Sequence, residues 1–168
     1  MRRPPDAVAE PGLENESRQP SPQPATDPRA SLLVDIFSRL SVAQVEYAVL
    51  HGGSTGPPKL SSDVDIMLGA NPTRVVDPIL EEMQGNGRLT ILQRLHYEIP
   101  HGYYYVLALH TQEPLFLHLD CLFDPIGVNR YHLTSCELLR ERVEESWGIR
   151  TSNENTALYL LIKRAIKR

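Results

Sequence analysis

Cysteine is scarce in this chain. Cys121 and Cys136 are the only two among 168 residues. They form no zinc spacing and read as reduced thiols of a cytoplasmic protein. Long apolar runs are missing as well, since nothing approaches the length of a membrane span. No apolar segment follows Arg2-Arg3 to make that pair an export signal. Positive charge is not in excess. A net charge of -4 and a pI near 5.9 give no general footprint for nucleic acid, so any such contact would be local. There is no Walker-type glycine-lysine loop, no Ser-His-Asp order and no internal repeat. His96, His101 and His110 show no ligand spacing, and the lone Trp147 carries no signal. The length suits one ordinary domain better than two.

Proline, by contrast, is concentrated. Half of the chain's prolines fall before residue 29, among acids and with almost no large apolar side chains. Such a segment cannot bury enough surface to offset its ordering entropy, so residues 1–29 read as a disordered extension. The pattern changes at Ala30. Leu32, Leu33, Ile36, Phe37 and Leu40 recur at helical spacing and predict an amphipathic helix. Glu46 to Leu50 and Asp63 to Leu68 read as strands, joined by a loop holding Pro57-Pro58 and Ser61-Ser62. A second helix starts at Asn71-Pro72-Thr73, where Asn71 or Thr73 would cap it. It buries Val75, Val76, Ile79, Leu80 and Met83 and ends at Gly85-Asn86-Gly87. Three strand-like runs follow, Leu89 to Tyr97, Tyr103 to His110 and Leu115 to Leu122, with breaks suited to antiparallel turns. A short helix is expected near Cys136 to Glu145, with Glu141, Glu144 and Glu145 on its solvated side, and a last helix from about Asn155. The expected architecture is α/β (α+β): a mixed sheet of about five strands with helices on one side. Residues 30–127 would form the core and 128–168 a C-terminal helical segment.

The densest chemistry lies around the first two strands. His51-Gly52-Gly53-Ser54 follows one apolar run, nine residues separate Gly53 from Asp63, and Asp63-Val64-Asp65-Ile66-Met67-Leu68 forms the next run. Strand side chains alternate faces, so Asp63 and Asp65 share a face while Val64 and Ile66 point into the core. Two carboxylates about 6 Å apart repel by about 2–3 kcal/mol at an effective dielectric near 20. A divalent cation removes that repulsion, and oxygen-only ligands suit Mg²⁺.

This stretch resembles the signature of the nucleotidyltransferase superfamily, which includes DNA polymerase β, the aminoglycoside nucleotidyltransferases and the minimal nucleotidyltransferases. The family places a third carboxylate on a later strand of the same sheet, and Asp120 in Leu115-Phe116-Leu117-His118-Leu119-Asp120-Cys121-Leu122 is the candidate. The resemblance implies a transfer of a nucleoside monophosphate from a triphosphate such as ATP to a small-molecule, sugar-linked or protein acceptor, with release of pyrophosphate. It implies Mg²⁺ (or Mn²⁺) held by Asp63, Asp65 and Asp120, which would be both catalytic and metal-binding. Gly52 and Gly53 would let backbone N–H groups approach the phosphates, and Ser54 would hydrogen-bond a phosphate oxygen. The chain departs from the pattern after that serine. Pro57-Pro58 arrive too soon for the short helix of the minimal and aminoglycoside enzymes, and Lys59 is the only nearby base.

Two further readings stay open beside the enzyme: a catalytically inactive binding or regulatory module of the same fold, and an antitoxin-type nucleotidyltransferase acting on a partner chain. A looser similarity, through Tyr47 to Gly52, Ser62 to Asp65 and Leu117 to Asp120, extends to nucleotidyltransferase-like proteins of surface-polysaccharide clusters. In those chains helical segments or a kinase-like domain follow. Lys163, Arg164, Lys167 and Arg168 form a basic cluster on the last helix, within reach of a phosphate or left as a solvated helix end. The sequence stops within that helix, either as its true end or with a further helical part to come. His118 shares the face of Asp120 and would position an acceptor or a metal, or else sit as an ordinary sheet histidine. Tyr103-Tyr104-Tyr105 alternates faces, so one or two of these rings would line a pocket or pack in the sheet. Asp124 competes with Asp120 but precedes Pro125 at a strand end.

Overall fold

Asp27 opens the first helix: its carboxylate accepts the Arg29 N–H at 2.9 Å, and Pro28 follows at a position where no N–H is needed. In this computed structural model the residues described are 27–51, 63–96, 101–124, 126–128 and 131–166. Most of the proline-rich extension, residues 1–26, and the loop of residues 52–62 therefore lie outside them. Helix α1 (Pro28–Val42) buries Leu32, Leu33, Ile36, Phe37 and Leu40, the stripe its periodicity predicts. Helix α2 (Pro72–Gly85) is capped by Asn71, whose side chain accepts the Thr73 N–H at 3.0 Å. It buries Val76, Asp77, Ile79, Leu80 and Met83.

The strands are β1 (Tyr47–His51), β2 (Asp63–Leu68), β3 (Leu89–Leu95), β4 (Gly102–Leu109), β5 (Leu115–Phe123), β6 (Ile126–Val128), β7 (Tyr131–Leu133), β8 (Arg142–Glu145) and β9 (Gly148–Thr151). Helix α3 (Ser135–Arg140) lies between β7 and β8, and α4 (Asn153–Ile166) follows β9. The result is an α+β fold around a mixed sheet, with four helices among the described residues. Its main sheet has seven strands in the order β3-β4-β5-β2-β1-β9-β8, not about five, and β6 and β7 form a separate hairpin. β2 with β5 and β1 with β9 pair in parallel, whereas the other neighbours are antiparallel.

The two extra strands come from the segment expected to be helical. Helix α3 stops at Arg140, and Arg142-Val143-Glu144-Glu145 turns back on β9 instead of carrying Glu144 and Glu145 on a helix. Tertiary packing overrides local helix preference here. Trp147, silent in the sequence, is buried at the hairpin turn, 6.2 Å from the Phe37 ring, and Phe37 stacks on Tyr47 at 4.8 Å. Burying a large apolar side chain contributes about 1.5–3 kcal/mol, more than a few helix-propensity differences can oppose. Arg142 to Glu46 and Arg150 to Glu145 complete the hairpin edge at 3.0 and 2.8 Å.

Helices cover both faces of the sheet, not one. One face buries Val49, Val64, Ile66, Leu107, Leu119 and Cys121 with the apolar stripes of α1 and α2. The other face buries Ala48, Leu50, Met67 and Leu122 with Leu138 and Leu139 of α3 and Tyr159 of α4. Among the described residues, no helix is long and apolar enough to cross a membrane.

Candidate active site

The site grows from strand register. β2 and β5 run parallel with Asp63 opposite His118, Asp65 opposite Asp120 and Met67 opposite Leu122. Alternation sends Val64, Ile66, Leu119 and Cys121 to the α1–α2 face and the acids to the other. Met67 and Leu122 on that second face are buried beneath α3 and α4. Asp65 and Asp120 continue their row, and Asp63 and His118 extend it. Three carboxylates that are 57 or fewer residues apart in sequence thus share one strip of the sheet.

Neighbouring strands add to the strip. β1 pairs antiparallel with β2, which brings His51 opposite Asp65, its Nδ1 3.6 Å from Asp65 Oδ2. β4 sets Tyr104 opposite Asp120, with the Tyr104 ring edge-on to His118 at 5.5 Å between centroids. His118 Nδ1 donates to Asp63 Oδ1 at 2.7 Å. Burial, and then the negative charges of Asp63, Asp120 and Asp65, push the Tyr104 hydroxyl above its usual range. It is held as a neutral hydrogen-bond donor.

Helix α4 contributes a cation. Lys163 Nζ donates to both carboxylate oxygens of Asp65 at 2.7 Å and lies 4.0 Å from Asp120 Oδ2. Asp65 is 1 % exposed, so its charge could not remain buried without such a partner. The Lys163 ammonium also lies 5.5 Å from the centre of the Tyr159 ring, one helical turn back on the same face.

Asp63, Asp65 and Asp120 are brought to one face. Asp124 is not among them: it lies just past β5, exposed, with its carboxylate 3.7 Å from His101 Nδ1. Gly52, Gly53, Ser54 and Lys59 lie outside the described residues, but the two residues flanking that segment, His51 and Asp63, both stand at the site. Of the three tyrosines, Tyr104 faces the acids. Tyr105 packs into the opposite core, where its hydroxyl donates to Asp77 at 2.6 Å. Tyr103 stacks on His96 and Phe123.

The oxygen donors of these acids are of the type a hard divalent cation takes. Among the described residues, no three His, Cys, Asp or Glu side chains already converge as a metal cage. Asp63 is turned to His118, and both oxygens of Asp65 to Lys163. The donor type of the set suits a hard cation such as Mg²⁺ or Mn²⁺, while Lys163 holds both oxygens of Asp65. Lys163 was visible in the sequence only as one of a basic cluster. A sharper signal was present: Asn155, Tyr159, Ile162, Lys163 and Ile166 repeat at helical spacing, which puts one lysine on the buried face.

No protein-family model matches the chain, and no curated protein matches it.

Proposed function

We propose that the chain is a metal-dependent nucleotidyltransferase, moving a nucleoside monophosphate from a triphosphate to a small-molecule, sugar-linked or protein acceptor. The observation that supports this reading most is the in-register parallel pairing of β2 and β5. It sets Asp65 beside Asp120, with Asp63 on the same face. In the reaction an acceptor oxygen bonds to the α-phosphorus, the bond from that phosphorus to the bridging oxygen breaks, and pyrophosphate leaves with the electron pair. Mg²⁺ or Mn²⁺, when bound, supplies neutralisation of phosphate charge and a lower pKa for an acceptor hydroxyl. Asp63, Asp65 and Asp120 would hold it. His118, oriented by its hydrogen bond to Asp63, would position the acceptor, and the neutral Tyr104 hydroxyl would donate to a phosphate or acceptor oxygen. Gly52, Gly53, Ser54 and Lys59 belong to the segment between His51 and Asp63 and would meet the triphosphate.

A second reading, a nucleotidyltransferase-like binding or regulatory module without catalysis, is favoured by one observation. Lys163 already neutralises Asp65. Thermal-shift titrations with ATP, GTP, CTP and UTP, each with Mg²⁺ or Mn²⁺, test the metal-nucleotide site. Stabilisation of about 2.7 kcal/mol is expected at 100 times the dissociation constant. Asp63→Ala and Asp65→Ala should each lose it; a shift retained by both overturns the proposal. Pyrophosphate release over an acceptor panel then separates the enzyme from the module.

A further inference from the structure

The Asp65–Lys163 pair differs from the other ion pairs among the described residues. Asp65 is nearly sealed from solvent, and the ammonium takes both of its oxygens at the same 2.7 Å. Asp120 Oδ2 lies 4.0 Å from the same ammonium. The position is built into α4 rather than reached by a loose side chain. Tyr159, 2 % exposed, anchors the helix against Ala48, Leu50, Met67 and Leu122. Asn155 ties its first turn to the Glu137 carbonyl at 3.3 Å. The lysine side chain keeps 29 % of its surface exposed, so it has a route outward.

An ammonium and a divalent cation seek the same oxygens, and two positive charges at that separation repel strongly. A divalent cation taken up between Asp65 and Asp120 would compete for the oxygens that the ammonium now holds. We infer that Lys163 is a displaceable internal cation: it occupies the Asp65–Asp120 position when no metal is bound and must leave before a divalent cation can enter. The inference rests on the metal-site reading above. Lys163 is then a positioning residue that sets the threshold for metal entry and holds the Asp65 side chain in place in the meantime. Metal binding and the movement of the Lys163 side chain are one event.

Two measurements on the full chain test this. Mn²⁺ titrations followed by the paramagnetic resonance of the free ion compare wild type with Lys163→Met. With the competing positive charge removed, the variant should bind about tenfold tighter or more; equal or weaker binding overturns the inference. Because Lys163→Met could disturb folding, the second measurement uses the wild type alone. The rate of amine acylation at Lys163 is mapped by mass spectrometry, with Lys167 as reference. The rate should be low without metal and rise at saturating Mn²⁺; an unchanged rate at saturation overturns the inference. Equal Mn²⁺ affinity in both proteins sinks the lysine's role and leaves the metal site standing. No Mn²⁺ bound by either sinks both.

Discussion

Tyr105 shows how one residue couples the core to pH. Its hydroxyl donates to Asp77 Oδ1 at 2.6 Å, and Arg94 pairs with the other oxygen of that carboxylate. Burial is the largest cause of its altered titration, followed by electrostatic coupling to the neighbouring Cys121 thiol and the hydrogen bond to Asp77. Together they push the hydroxyl well above its ordinary 10.0. Raised in the folded state, it contributes stability that is complete below pH 10.0 and is lost as pH climbs toward the folded value. The urea midpoint should therefore fall above that pH, and Tyr105→Phe should remove part of the fall. At neutral pH the same substitution leaves buried Asp77 one donor short, at an expected cost of about 1–2 kcal/mol in chemical denaturation. Asp65 poses the same problem of a buried acid and solves it with Lys163. The difference is one of place: Asp77 reaches from α2 to Tyr105 and Arg94, whereas Asp65 stands in the strip of acids beneath a lysine that keeps 29 % of its side chain exposed.

At the scale of elements, the β8–β9 hairpin matters more than its length suggests. It is short and mostly charged on β8, yet it extends the sheet beyond β1 and seats Trp147 against α1. Gly148 is the contact that permits this approach: a Cβ there would lie 2.7 Å from Phe37 Cδ2. The Phe37 ring is held by Tyr47 on one side and Trp147 on another, so it has little freedom to yield. Gly148→Ala should destabilise the protein by about 1–3 kcal/mol, seen as a lower urea midpoint at unchanged slope. Wild-type stability in that variant would mean that the ring moves aside freely.

On the scale of the whole molecule, the sheet is buried by two different layers. The α1–α2 layer is a broad apolar core, whereas the α3–α4 layer is small and ends in the charged strip. Tyr159 is the largest side chain of that second layer and also flanks Lys163. Tyr159→Ala should therefore have two effects with one origin. It should cost about 3–5 kcal/mol in denaturant unfolding through the cavity it leaves. It should also loosen the Lys163–Asp65 contact, read as faster acylation of Lys163 without metal. Destabilisation with Lys163 still protected would show that the ion pair holds α4 in place by itself.

Local pattern alone made much of this legible. The stripes of α1 and α2, the first five strands and the shared face of Asp63 and Asp65 all follow from periods of 3.6 and 2, which a short window displays, and the choice of cap between Asn71 and Thr73 falls to Asn71. The pairing of β5 with β2, which sets Asp120 opposite Asp65, is permitted by the sequence but fixed by no local pattern. What the windows did not contain lies in long-range choices. Arg142 to Glu145 carries no strong strand period, and it becomes a strand because Trp147 and Ile149 pack on α1 and β1. The layering of helices on both faces follows from where α3 and α4 dock. Lys163 meets Asp65 across 98 residues of sequence, and an amphipathic helix specifies that it has a buried face without specifying what that face will meet. The sequence by itself determined the elements, their apolar sides and the positions of the acids. The tertiary structure alone decided which strands became neighbours and which cation reached the acids, because pairing register and helix docking are set by packing between segments that no local period connects.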